Sequence, residues 1–269
     1  MLTASRSLVR HSQSGKLLPK VEELHDLYDL GLRARAGQVI MISGRSGSGK
    51  SAFAMFWVLR MGLPCIYFSG DMSPYTASTR VAASITGETA QEIEQGMLDP
   101  ERRDYYVRRL NEVPMQFSFG APITWHRVEE EIDAYVELWD KFPDVIVVDN
   151  LKEMDGAESE YQAQMDAMAG LTDLARATGS TVMVLHHATD KGWDAKDHPF
   201  KPPARSEIKN GLSENPETSL SVAFNPDRKE FNVAIIKQRE GWADPTAKTW
   251  ATLGVDLARQ AFYRKEAIA

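Results

Sequence analysis

Cysteine is nearly absent from this chain: of 269 residues, only Cys65 is one. An internal disulfide framework is therefore excluded, and the composition fits a reducing cytosol. Long apolar runs are missing too. No stretch approaches the roughly 18 apolar residues that a membrane span needs, so no membrane association is expected. The first residues carry positive charge but no apolar core, so they do not read as a secretory signal. Excess positive charge is also lacking. The net charge is −7, and no bulk basic surface advertises nucleic acid. Any such contact must be local, through a few loops. Internal repeats and low-complexity tracts are absent. With 43% hydrophobic residues, the length suits one large α/β domain or one domain with a small appendage.

What is present is organised around residues 38–56. Gln38 to Ser43 reads as a strand. Gly44-Arg45-Ser46-Gly47-Ser48-Gly49-Lys50-Ser51 follows, and then an apolar helix. Strand, G-x-x-x-x-G-K-S and helix together make a P-loop pattern in the context that a phosphate site requires. Backbone N–H groups of the loop and the helix N-terminus can face a β-phosphate. Lys50 can reach the β- and γ-phosphates, and the Ser51 hydroxyl can take one Mg²⁺ position. The glycines supply dihedrals closed to residues with a Cβ.

Around this centre the chain alternates. Residues 1–20 hold Arg6, Arg10, Lys16 and Lys20 without a carboxylate, and read as a flexible basic arm. Residues 21–36 read as a linker-like helix, with Leu24, Leu27 and Leu30 at helical spacing and Gly31 as stop. The main domain is expected over 37–269. After the apolar helix to Met61 comes a strand from Cys65 to Ser69. Ser73-Pro74 then opens a helix that Gly87 ends. A charged helical region is expected from Glu88 to about Asn111, and a short strand from Pro114 to Gly120. Thr124 caps a helical stripe from Trp125 to Trp139. Asp144 to Asp149 is a continuous β-branched run, of the kind found in parallel strands buried on both faces. The next helix is expected to bury Tyr161, Met165, Met168, Leu171 and Leu174, with Gly179 as its stop. Thr181 to Leu185 is a further buried strand. Helical and strand periodicity then fail from His186-His187 to about Ser219, a loop long enough to be functional or disordered. The remainder reads as antiparallel strands at 220–224, 231–237 and 248–253, with a last short one near Phe262. The expected fold is a doubly wound, mostly parallel α/β sheet with antiparallel strands added at its C-terminal end.

Chemistry collects at the strand ends. Asp149 closes an apolar strand, as a carboxylate that holds Mg²⁺ would, or as a residue capping a turn. Asp71 follows the strand after the P-loop helix. It is a candidate for orienting or deprotonating an attacking water, or a helix-start carboxylate. In a doubly wound sheet the carboxyl ends of the strands line the ligand crevice, which puts Asp71, Asp149 and His186-His187 on one rim.

These elements resemble the RecA-type ATPase domain of DnaB-like replicative helicases and of RepA-type plasmid hexameric helicases. The resemblance runs over roughly residues 24–264. It includes Gly44–Ser51, Phe68-Ser69-Gly70-Asp71-Met72, the strand end at Asp149 and Val184-Leu185-His186-His187. It continues with Arg205-Ser206-Glu207-Ile208-Lys209-Asn210-Gly211 and with Lys237-Gln238-Arg239-Glu240-Gly241. The last stretch matches a Lys-x-Arg-x-Gly-like strand end that, in this family, reaches the γ-phosphate bound by a neighbouring subunit. The resemblance implies Arg239 as arginine finger, Lys237 as its companion and His187 as γ-phosphate sensor. A guanidinium suits a finger because its planar fork contacts two phosphoryl oxygens and keeps its charge. The family usually carries glutamate where this chain has Asp71, so the shorter side chain implies a water relay or a shifted strand. The N-terminal primase-interacting domain of full replicative helicases is not expected in this stretch of 269 residues.

The resemblance further implies a homo-oligomeric ring, read as a hexamer, that binds ATP and Mg²⁺ between subunits and moves on single-stranded DNA. Channel-facing contacts would come from Lys152 and from the long loop with Lys191, Lys196, Lys201, Arg205 and Lys209. Trp193 and Phe200 are stacking candidates in that loop. The expected setting is the bacterial cytoplasm, with a phage or plasmid as an admissible source of the gene. Two other readings of the same residues stay open: a RecA-type recombination or repair ATPase, and a KaiC-type regulatory ATPase that does not unwind DNA.

Overall fold

Among the described residues, the apolar runs pair into one nine-stranded sheet. The computed structural model describes residues 15–154, 159–189 and 200–265. Its strands are β1 (Val39–Gly44), β2 (Cys65–Ser69), β3 (Met115–Phe119), β4 (Val145–Asp149), β5 (Thr181–His187), β6 (Thr218–Asn225), β7 (Glu230–Gln238), β8 (Ala251–Asp256) and β9 (Ala261–Arg264). Its α-helices are α1 (His25–Asp29), α2 (Lys50–Met61), α3 (Pro74–Thr86), α4 (Ala90–Gly96), α5 (Pro100–Asn111), α6 (Trp125–Trp139) and α7 (Glu160–Thr178). The strand order is β3-β2-β4-β5-β1-β6-β7-β8-β9. Strands from β3 to β6 run parallel, and β7, β8 and β9 continue the sheet antiparallel.

The unalternated strands have a direct cause. Successive side chains point to opposite faces, and here both faces are covered. Ile40, Ile42, Tyr67, Val147 and Leu185 enter one core with α1 and α2. Val39, Met41, Phe68, Val148 and Val184 enter a second core with α6 and α7. α2 is apolar nearly all round because a second layer closes over it. Phe53 stacks on Phe231 at 5.2 Å between ring centroids, and Phe262 meets Phe53 at 5.7 Å and Phe56 at 4.9 Å. The antiparallel strands thus cover the P-loop helix. Cys65 is fully buried in the same core, and burial pushes its thiol well above the usual range.

Several elements differ from their sequence reading. The region 88–111 is two helices, because the Asp99 carboxylate accepts the N–H groups of Glu101 and Arg102 and Pro100 starts afresh. β5 extends through both histidines. β6, read as antiparallel, pairs parallel with β1, and the reversal of direction begins at β7. β8 starts at Ala251 and not at Lys248, since the Asp244 carboxylate holds the N–H groups of Thr246, Lys248 and Thr249 at 2.8–2.9 Å. Those three donors are thereby withheld from a ladder. Tyr161, expected inside, is 52% exposed in the first turn of α7, while Met168 and Leu171 are buried.

Within 21–36, helix occupies only a 3₁₀ turn at Glu22–Leu24 and then α1, and both Leu24 and Leu27 are packed in the core. Residues 16–18, the end of the basic arm, run beside 34–36 through Leu18 N–H to Ala34 O and Ala36 N–H to Lys16 O, each 2.9 Å. Among the described residues, no helix is long and apolar enough to cross a membrane.

The aromatic layer over α2 generates a stability prediction. Phe53→Ala deletes a ring surrounded by Phe231, Phe262 and Trp57, and should cost about 3–5 kcal/mol. Urea denaturation checks this, and a loss below about 1 kcal/mol would mean that the layer collapses onto the space.

Candidate active site

The carboxyl ends of the parallel strands open onto a cleft of about 490 Å³. Its floor is the turn from β1 into α2. Gly47 and Gly49 take φ of +70° and +81°, in the left-handed region that a Cβ disfavours. Gly44 has no room for a Cβ, which would meet Ser48 Oγ at 2.4 Å and Val222 O at 2.8 Å. The loop therefore curls tightly and turns the first N–H groups of α2 toward the cleft, where the helix dipole also favours an anion. Lys50 Nζ donates to Gly44 O at 3.1 Å and to Arg45 O at 3.0 Å. Its ammonium is thus held across the loop, beside the cleft that Ser46 to Ala52 line.

Asp149, at the end of β4, lies against the same loop. Burial pushes its carboxyl above the usual carboxylate range, against the hydrogen bonds from Tyr67 and Ser51 and the nearby Lys50 charge. Tyr67 OH donates to Asp149 Oδ2 at 2.7 Å. The same burial and the neighbouring Asp149 push the Tyr67 phenol well above its ordinary value. A buried carboxylate beside the Ser51 hydroxyl is a hard oxygen donor pair. It suits Mg²⁺, which takes one or two protein carboxylates and fills its octahedron with water and phosphate oxygens. A cation there would also stabilise the charged form of Asp149 that burial disfavours.

Asp71 faces the cleft from beyond the end of β2. Its Oδ2 accepts from Asn150 Nδ2 at 2.7 Å. The cap of α3 is Ser73, whose hydroxyl accepts from Thr76 N–H at 3.1 Å. β2 and β4 are adjacent, with Ser69 opposite Asp149, and this register brings Asn150 to Asp71.

His187 closes β5 opposite Gly44 and is half-buried in the cleft wall. Burial, and then the Lys50 and Lys209 cations, hold its imidazole below the ordinary histidine value. His187 is accordingly neutral at pH 7, with one donor and one acceptor nitrogen. His186 points the other way. Its Nε2 lies 3.1 Å from Lys209 O, and burial lowers its pKa to about 4. The acceptor assigns the proton to Nε2.

Sequence reading missed several cleft residues. Asn150 is one. Arg80 is another: it lines the cleft from α3 and donates to Met72 Sδ at 3.1 Å. Its signal was available, as the one charged residue in the helix Pro74–Thr86. Leu257 and Gln260, from the turn between β8 and β9, complete the wall. Arg45, taken with the phosphate loop, aims its side chain elsewhere and pairs with Glu207 at 2.6 Å.

Lys237 and Arg239 are not brought to this cleft. Lys237 pairs with Ser219 and Gln238 with Thr218, while Thr218 is level with Ile40 of β1. Gly44 is four residues further along β1, about 13 Å at 3.3 Å per residue, and the P-loop extends beyond it. The two basic residues therefore stand at the opposite end of the sheet. Lys237 Nζ donates to the carbonyls of Glu214 and Pro216, and Arg239 N–H to Glu217 O at 3.0 Å. Among the lysines and arginines expected at nucleic acid, Lys152 and Lys209 are exposed. Lys201 follows Phe200 near Arg45, and Arg205 pairs with Glu214 at 3.1 Å. Lys191, Lys196 and Trp193 lie outside the described residues.

The position of Lys50 generates one prediction. Lys50→Ala removes a cation that lines the cleft and the tie across the loop. A fluorescent ATP analogue should bind at least tenfold more weakly, with hydrolysis abolished. Near-normal turnover would remove the P-loop as the nucleotide site.

The chain has relatives among known proteins. The AAA domain family model matches residues 3–192. The gene 65 protein of Mycobacterium phage L5 is 30% identical over 262 residues, covering 94% of this chain and 95% of its own length. The gene 65 protein of Mycobacterium phage D29 is 28% identical, covering 80% of this chain and 94% of its own length. Among solved structures, a DnaB-like replicative helicase studied with primase superposes with a TM-score of 0.78 at 15% identity, covering 98% of this chain. The present chain spans 66% of that helicase. A separately solved ATPase domain also gives 0.78, at 16% identity, with 98% of this chain and 99% of that domain covered. A KaiC-like protein of Pyrococcus horikoshii gives 0.57 at 13% identity, covering 87% of this chain and 91% of its own. P-loop cleft, strand order and family match agree: the chain belongs to the AAA domain family and is a P-loop ATPase with the RecA-like fold of the DnaB-like helicase ATPase domains.

Proposed function

We propose that this chain forms a ring, read as a hexamer, in which ATP and Mg²⁺ bind between subunits and hydrolysis drives movement along single-stranded DNA. The separation of Lys237 and Arg239 from their own P-loop carries the reading. A cation that by the family resemblance completes a γ-phosphate site, yet stands at the far end of its own sheet, would serve another subunit. A ring lets every subunit both give and receive it. The phage relatives support a phage-encoded protein at work in a bacterial cytoplasm.

Each residue has a part. The loop Gly44–Ser51 binds and orients the phosphates. Ser51 and Asp149 would hold Mg²⁺, which when bound neutralises charge on the β- and γ-phosphate oxygens. Asp71, aimed by Asn150, orients the attacking water and takes its proton. The neutral imidazole of His187 donates to a γ-phosphate oxygen and exchanges partner after hydrolysis. The partner subunit's copies of Lys237 and Arg239 stabilise charge that grows in the transition state. Lys152, Lys201, Arg205 and Lys209, with Lys191 and Lys196 of the same loop, would face the DNA backbone.

The ATPase rate should rise severalfold with single-stranded DNA, and only at protein concentrations that support assembly. A full rate in the monomer would sink the shared site. A ring whose rate ignores DNA would favour a regulatory ATPase, and strand pairing without displacement would favour a recombination role.

Lys237 supplies a pH test. Burial, then Arg239 and Arg205, lower its pKa to about 8. If the ammonium acts on the neighbour's phosphate, kcat/KM is supported below that value and declines as pH rises through about 8. Lys237→Arg, which stays charged, should remove the decline. An alkaline limb unchanged in that variant would assign it to another group.

A further inference from the structure

The strand that carries the finger is fastened from its other face. Lys237 in β7 and Arg239 just past its end turn to one side, where they reach the carbonyls of Glu214, Asn215 and Pro216, and Gln238 turns to the opposite one. Gln238 Oε1 accepts from Arg33 N–H at 2.8 Å, and Gln238 Nε2 donates to Gly31 O at 2.8 Å. One carboxamide thus satisfies a backbone donor and a backbone acceptor, as an adjoining strand would. Glutamate could accept but not donate here, and asparagine is one methylene shorter.

The surrounding chain is shaped to this contact. Gly241 has φ +140°, and a Cβ on it would lie 2.4 Å from Gln238 Nε2. Gly31, which offers its carbonyl, has φ +102° and lies against Trp242. On the far side of Arg239, Glu240 Oε2 meets Arg35 Nε at 2.8 Å, and Arg35 Nη1 donates to Gly15 O at 2.6 Å. Residues 31–35 therefore grip the finger strand at 238 and again at 240. Gln238 is the last laddered residue of β7, and Arg239, one position on, keeps one backbone bond, its N–H to Glu217 O at 3.0 Å, with Nη2 at 3.5 Å from Asn215 O.

We propose that Gln238 is a positioning residue for the shared site: its carboxamide locks residues 238–241 onto 31–33 and so aims Arg239 at the neighbouring subunit. The proposal rests on the shared-site reading above. Arg239 is exposed, and displacing a reacting group by about 1 Å can cost on the order of 10² in rate. The segment before β1 thereby acquires a role in catalysis that it performs without touching nucleotide.

The test uses the full chain with Gln238→Glu, which keeps length and loses the donor, and Gln238→Ala. Expected are wild-type assembly by sedimentation, ATP-analogue affinity and KM within about twofold, and kcat at least tenfold lower. Each variant is then mixed with Lys50→Ala subunits, beside a control mixture of Arg239→Ala with Lys50→Ala. If Gln238 aims the finger, both mixtures regain turnover, because a Gln238-variant P-loop can be served by the intact finger of a Lys50→Ala subunit. Wild-type kcat in both Gln238 variants overturns the proposal. So does loss of folding or assembly in Gln238→Glu, which would make the contact merely structural. Recovery in the Arg239 control without recovery in the Gln238 mixtures also overturns it, by placing the defect in the variant's own cleft. Failure of the control removes the shared-site reading itself, and this proposal with it.

Discussion

Burial of the parallel strands on both faces is the constraint from which the cleft follows. A strand covered by helices above and below has no lateral position for a charged group. Charged side chains are therefore driven to the strand ends, where the ladder stops and solvent begins. Gly44, Asp71, Asp149 and His187 all stand at or just past carboxyl ends of adjacent strands. The order β2-β4-β5-β1 places these ends side by side. The aromatic layer of Phe231 and Phe262 packs against α2, whose N-terminus lines the cleft.

Electrostatics in the cleft follow from the same burial. Asp149 is held above its ordinary range by desolvation and His187 below its own, so both tend toward neutrality in the protein alone. A divalent cation held by Ser51 and Asp149 would favour the charged form of Asp149. The site is thus arranged for a ligand that brings its own charges.

Much of this was legible in the residue order. Glycines at 47 and 49 mark backbone that a side chain would strain, and Ser73 and Thr124 announce helix starts through their own hydroxyls. The β-branched run to Asp149 declares two-sided burial. What stayed hidden depends on which strands become neighbours. Asn150 is adjacent to Asp149 in the chain, but its bond to Asp71 exists only because β2 lies beside β4. The direction of β6 is set by its place against β1, and a short apolar run looks the same in either orientation. Gln238 lies between two recognised residues, and its partners, Gly31 and Arg33, are about 200 residues away in sequence. Arg45 looked like part of the phosphate loop until Glu207 gave its side chain another destination.

The solitary cysteine has a practical consequence. Cys65 is fully buried among apolar side chains, with its thiol held firmly protonated. Thiol reagents should therefore find almost nothing to label in the folded chain. The native protein comes with a silent chemical background. A pair of cysteines placed on either side of a suspected subunit contact could be cross-linked without first removing the natural one. The core residue would meanwhile report, by becoming reactive, the moment at which the sheet itself opens.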